Sequence, residues 1–133
     1  MVQFYFLSIL LNTVTGLILF LGDEEAENNK LPAFAYNETF RLLLGMLTAV
    51  TGFFKLLTAI RGDVPVIGDL FPALAGLAGG CTLLYEFYKI RSTVDEQALP
   101  DLVKRLVTGR RYIGLASIIA AAAHFLFPIV IFL

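Results

Sequence analysis

The chain has 133 residues, of which 58% are hydrophobic and 16% charged, and its mean hydropathy is +0.80. Soluble domains use roughly 45–50% apolar residues even with glycine counted, so a soluble fold of this length has nowhere to put so much apolar surface. A formal net charge of -1 gives no basic field for nucleic acid, and Cys81, the sole cysteine, excludes an intrachain disulfide and a CxxC redox pair.

Val2–Leu21 is the first stretch long enough to cross a bilayer as a helix. It lacks the basic leader of a signal peptide, and Asp23 and Glu24 follow it in place of a small-residue cleavage site, so a retained membrane helix is expected. Asn12 falls near its middle, where an unpaired amide is costly; it either bonds a neighbouring helix or contacts a ligand.

The connector Gly22–Glu38 carries Asp23, Glu24, Glu25 and Glu27, which read as a solvated acidic loop without the spacing of a calcium site. Its apolar end, Leu31–Tyr36, places Phe34 and Tyr36 as interfacial aromatics, and Asn37-Glu38-Thr39 fits the glycosylation triplet.

Phe40–Ile60 is the second span. Gly45, Ala49 and Gly52 give it a slim side, and Thr48, Thr51 and Thr58 supply hydroxyls. Lys55 is expected to stretch its ammonium to the nearer water layer or to pair with an internal carboxylate. Val14-Thr15-Gly16 recurs as Val50-Thr51-Gly52, a faint internal echo of the kind found in transporters. The turn Arg61–Gly68 is short enough to make spans two and three antiparallel neighbours.

Asp69–Ile90 is the third span, with Pro72 near its start and a run of alanines and glycines up to Gly80 suited to close helix contact. Cys81 in that run reads as a small buried packing residue. Glu86 is the foremost candidate for a functional acid; the competing reading is an interfacial ion pair, with Lys89 three residues on along the same face.

The polar connector Arg91–Arg111 contains Leu99–Val107, where leucines and valines alternate with Asp101, Lys104 and Arg105. Pro100 and Gly109 delimit a short amphipathic helix for the membrane surface, its basic side toward anionic headgroups. Tyr112–Leu133 is the fourth span, with Pro128 bending its last turns. His124, the only histidine, either bonds across the bundle or handles a proton or ligand; alone it builds no histidine-cluster metal site, and none is expected.

The pattern thus predicts an all-α integral membrane protein: one domain, residues 1–133, with a bundle of four transmembrane helices and a short interfacial amphipathic helix. Lys30, Arg41, Lys89, Arg91, Lys104, Arg105, Arg110 and Arg111 lie on the side of the long connectors, against Lys55 and Arg61 on the other. The positive-inside rule then puts the connectors in the cytoplasm and the termini outside a plasma or bacterial inner membrane. Arg41, Glu86, Lys89 and Arg111 share one depth and are expected as a charged interfacial cluster. Asn12, Thr48, Thr51 and His124 lie deeper and are candidates for lining a ligand or transport pocket.

Arg41-Leu-Leu-Leu-Gly45, followed by Gly52 and Lys55, resembles the opening helix of DoxX-like membrane proteins. The resemblance covers Phe40–Leu57 and departs from the family in having a whole span before it. It implies a small four-span protein, some members of that family being associated with quinone or thiosulfate oxidation.

Three function classes follow. The first is a noncatalytic protein that assembles in the bilayer with its own copies or with a larger membrane partner, supported by the small-residue packing. The second is a small-solute carrier or channel component. The third is a quinone-associated redox protein, with His124 and the aromatics around a lipophilic ring. No hydrolase elbow, zinc-protease or phosphate-loop motif is present, and a catalytic residue or cofactor stays unassigned.

Overall fold

The computed structural model describes residues 2–22, 30–61, 70–93 and 95–127. The acidic residues Asp23, Glu24, Glu25 and Glu27, the turn 62–69 and Pro128 lie outside the described residues. The described residues are helical with no strand: α1 (Val2–Leu21), α2 (Glu38–Arg61), α3 (Leu70–Arg91), α4 (Asp101–Thr108) and α5 (Arg110–Leu126). α1, α2 and α3 are each long and apolar enough to cross a membrane, and α4 with α5 meets the same test as a pair bent by 70°.

The ends of these helices follow from local chemistry. Asn37 caps α2, its Oδ1 accepting the Thr39 amide at 2.9 Å and the Phe40 amide at 3.2 Å. The helix therefore begins two residues before the apolar run. Gly109 breaks the last segment: a Cβ there would stand 2.9 Å from the Arg105 carbonyl oxygen. The chain turns at this point, and Arg110 and Arg111 belong to α5 rather than to the connector.

Two tight helix pairs, α1 with α5 and α2 with α3, lie against each other, with α3 touching α1 and α5. Glycine makes both pairs possible. A Cβ on Gly16 would meet the Gly114 carbonyl oxygen at 2.7 Å, and one on Gly114 would meet that of Gly16 at 2.7 Å. Between α2 and α3, a Cβ on Gly80 would stand 2.6 Å from the Ala49 backbone nitrogen. Backbones this close gain dispersion contacts that larger side chains would prevent.

Leu11, Ile18, Leu19, Leu44 and Leu83 form the apolar core. The outer faces stay apolar too: Phe6, Leu10, Leu47, Phe54, Leu74 and Ile119 are exposed. Cys81 is exposed as well, which corrects its reading as a buried packing residue. Gly79 and Gly80 before it and Thr82 and Leu83 after it take the buried positions and leave Cys81 on the outer face.

Candidate functional site

The buried polar side chains are gathered in one seam along the inside of the bundle. At one end, Glu86 of α3 meets two arginines: Oε1 lies 2.9 Å from Arg110 Nε and Oε2 lies 3.7 Å from Arg41. Arg41 also donates to the Ala35 carbonyl at 2.9 Å and to that of Gly22 at 3.2 Å, and Arg110 donates to the same Gly22 oxygen at 3.1 Å. The Gly22 carbonyl, just past the C-terminal end of α1, thus receives protons from two guanidiniums, where cations also complement the helix dipole.

Of the four residues expected at this end, the structure brings together Arg41 and Glu86. Lys89 and Arg111 are exposed. Arg110 supplies the guanidinium assigned to Arg111, because α5 starts at Arg110 and its first turn directs that residue inward. The signal that could have found it is helical phase. Arg110, Gly114, Ser117, Ala121 and His124 recur at spacings of three and four and share one face of α5.

The middle of the seam is held by hydroxyls and one amide. Thr48 donates its single proton to the Leu44 carbonyl at 2.7 Å, so in its 2.9 Å contact with Thr15 the Thr15 hydroxyl is the donor. Asn12, 2% exposed, donates Nδ2 to the Pro72 carbonyl at 3.0 Å. Its Oδ1 has no partner among the described residues. That oxygen, with Ser8, Thr48, Thr51 and Gly76, lines a gap too narrow to admit a water molecule. Asn12, Thr48 and Thr51 thus border one narrow gap, together with Leu11 and Gly52.

His124 stands apart from that gap, at the other end of the seam. Its Nε2 is 2.9 Å from Lys55 Nζ, and both residues are 6% exposed. The Tyr5 ring packs on the imidazole with centroids 4.6 Å apart, and its hydroxyl donates to the His124 carbonyl. Lys55 Nζ lies 5.9 Å from the same ring centroid. Lys55 is thus buried against a histidine and not drawn out to the water layer, the first of the two expectations for it. Helical phase sets this as well: Lys55 lies one turn beyond Thr51 and two beyond Thr48, on the inward face of α2. Among the described residues no group of His, Cys, Asp and Glu has the geometry to hold a metal ion.

A protein-family model matches residues 1–124 of the chain. An uncharacterized protein of Treponema pallidum (strain Nichols) is 34% identical over 133 residues, covering 100% of both chains. No solved structure matches.

Proposed function

We propose a membrane function for this chain, which belongs to the family matched over residues 1–124 and is a relative of the Treponema pallidum protein. It is an integral membrane protein in which α1, α2, α3 and the bent α4–α5 segment make four passes, with α4 lying along the membrane surface. Its inner polar seam, rather than its outer face, does its work: it admits a small polar solute, with anions favoured, as a carrier or channel component.

The observation that carries this reading is the inversion of polarity. Arg41, Lys55, Asn12, Thr48 and His124 are buried, while phenylalanines and leucines cover the outside. Ionisable groups inside a membrane bundle are expensive and are kept where they serve a pathway or a site. The sign of charge supports an anion: among the described residues the seam holds Arg41, Arg110 and Lys55 against one carboxylate, Glu86. Arg41 and Lys55, which carry the DoxX-like resemblance, stand at its two ends. The small residues that favoured assembly are used inside a single chain: Gly16 against Gly114, and Gly80 against Ala49. Assembly with another chain must then rest on the outer apolar faces alone.

The test is uptake into liposomes containing the full chain, with chloride, nitrate, phosphate, acetate and glycerol as separate probes. Protein-dependent entry of at least one probe, faster for anions than for glycerol and lost in Asn12→Leu, is the expected result. Entry no faster than in protein-free liposomes for every probe would overturn the reading. Detergent-resistant copurification with one membrane protein would then favour the assembly class.

A further inference from the structure

We propose that the groove between the end of α3 and α4 binds the head group of an anionic phospholipid, and that the bound lipid fastens α4 to α3. The site rests on the membrane reading and is independent of the carrier reading.

The groove encloses about 100 Å³. A water molecule takes about 30 Å³ in the liquid, so the space is larger than one or two waters need. Tyr85 and Lys89 of α3 form one wall, four residues apart and so on one helix face. Lys104, Val107 and Thr108 of α4 form the other, at spacings that likewise share a face, and Leu99 closes the end. Among the described residues that line it, the charged ones are the two lysines, one from each wall.

That pair sets the sign of the occupant. An ammonium binds a phosphate as a point charge with three donors. Lys104 gives one proton to the Gln97 carbonyl at 3.2 Å, a contact that holds the side chain in place. The described acids of the same stretch are turned to other work. Asp95 accepts the Gln97 amide at 3.2 Å, and Asp101 opens α4, where a negative charge complements the helix dipole.

The rest of the lining favours a lipid over free phosphate. Leu99 and Val107 give the groove apolar wall beside its cations, which suits an amphiphile. Exposed Tyr88, Ile90, Leu102 and Tyr112 extend that apolar surface on α3, α4 and α5. Tyrosines and lysines at the end of a spanning helix stand at headgroup level, where basic pockets between helices take anionic heads. The fold also leaves the occupant something to do. α4 touches α3 and the start of α5, yet none of its residues is fully buried. A phosphate held by Lys89 and Lys104 together joins the two helices across the groove.

The experiment is native mass spectrometry of the full chain, released from micelles holding equal amounts of phosphatidylglycerol and phosphatidylcholine. The wild type should retain phosphatidylglycerol preferentially. Lys89→Gln and Lys104→Gln should each lower that retention about fivefold, the scale of one basic residue at an anionic surface. Arg105→Gln removes the same charge from the neighbouring position, outside the groove, and should leave retention unchanged. Val107→Phe keeps every charge but fills the groove, and should lower retention, which keeps the site testable if a lysine variant fails to fold. Equal retention of the two lipids, or equal losses in Lys104→Gln and Arg105→Gln, would overturn the site. Displacement of the lipid by excess inorganic phosphate would also overturn it, assigning the groove to a soluble anion. If alkaline carbonate strips the chain from liposomes, the membrane reading and this site fall together. A chain that stays in the bilayer without a headgroup preference loses the site alone.

Discussion

Glu86 bridges two helices at once: its Oε1 stands 2.9 Å from Arg110 of α5 while its Oε2 stands 3.7 Å from Arg41 of α2. The carboxylate is 14% exposed, so little water is present to take over its role. Glu86→Gln keeps the shape and removes the charge, leaving two guanidiniums facing each other across an amide. Breaking one partner out of a buried ion pair costs about 3 kcal/mol or more, and a loss near the lower end is expected for this partly buried group. Equilibrium unfolding in mild detergent measures it. Unchanged stability would mean that the guanidinium bonds to backbone carbonyls hold this end unaided.

The adjacent arginines of α5 separate the inward position from the outward one. Arg110 donates to the carbonyl of Gly22 and pairs with Glu86, whereas Arg111 is exposed. Arg110→Gln is expected to destabilise by about 2 kcal/mol, since it breaks a charge-assisted hydrogen bond and an ion pair together. Arg111→Gln should cost under about 1 kcal/mol, the range for an exposed charge. The same unfolding assay compares them, and equal losses would contradict the inward assignment of Arg110.

The contrast between these two residues shows how far the sequence could be read. Length and hydropathy located α1, α2 and α3 to within about two residues at each end, because burying so many apolar side chains leaves few alternatives, whereas the fourth span was drawn to Leu133 and α5 ends at Leu126. Depth along each helix was legible as well: Arg41 and Glu86 were placed at one level from their distances to the helix ends. Rotation was harder. Choosing Arg110 over Arg111 required knowing that Gly109 ends α4 and that α5 starts at once, which sets the helical phase. The expectation that Lys55 reaches water failed for a related reason. A long cationic side chain near a helix end reaches water in a lone helix, but here His124 arrives from a helix 69 residues away and supplies an acceptor first. No local pattern encodes that meeting.

The glycine contacts predict a graded response to added methyl groups. A Cβ on Gly80 would stand 2.6 Å from the Ala49 backbone nitrogen, and backbone cannot rotate aside as a side chain can. Gly80→Ala must push α2 and α3 apart, at a cost of about 1–3 kcal/mol. Gly16→Ala should do the same to α1 and α5. A double variant Gly16→Ala with Gly114→Ala should cost less than the sum of the two singles, since one separation of the helices relieves both clashes. Unfolding of the three variants in one detergent provides the comparison, and strict additivity would mean that the two sites do not share a contact.

The four-pass reading makes a statement about sidedness. Gln3 lies beside the Tyr5 and His124 end, and Lys104 lies on α4 beyond the Glu86 end. In sealed vesicles of the Cys81→Ala chain, single cysteines at Gln3 and Lys104 should react with a membrane-impermeant maleimide from opposite sides. Modification of both from the same side would remove the four-pass arrangement.

Asn12 gives the sharpest division between a residue that holds helices together and one that meets a solute. Its Nδ2 bonds the Pro72 carbonyl at 3.0 Å, a contact between α1 and α3. Pro72 lies in the first turn of α3, so its carbonyl also faces the intrahelical amide four residues on and is not stranded when Asn12 is replaced. Interhelical hydrogen bonds of this kind contribute about 1 kcal/mol. Against that, leucine at this position removes an amide oxygen that is buried without a partner, a penalty of about 1–3 kcal/mol relieved by the change. The two effects oppose each other, and Asn12→Leu is expected to unfold within about 1 kcal/mol of wild type while losing solute uptake. If Asn12 serves only to join α1 to α3, the result reverses: stability falls by more than the hydrogen bond accounts for, and uptake per folded molecule is unchanged. Measuring both quantities on one preparation separates the two roles, because leucine keeps the branch at Cγ and removes both polar atoms.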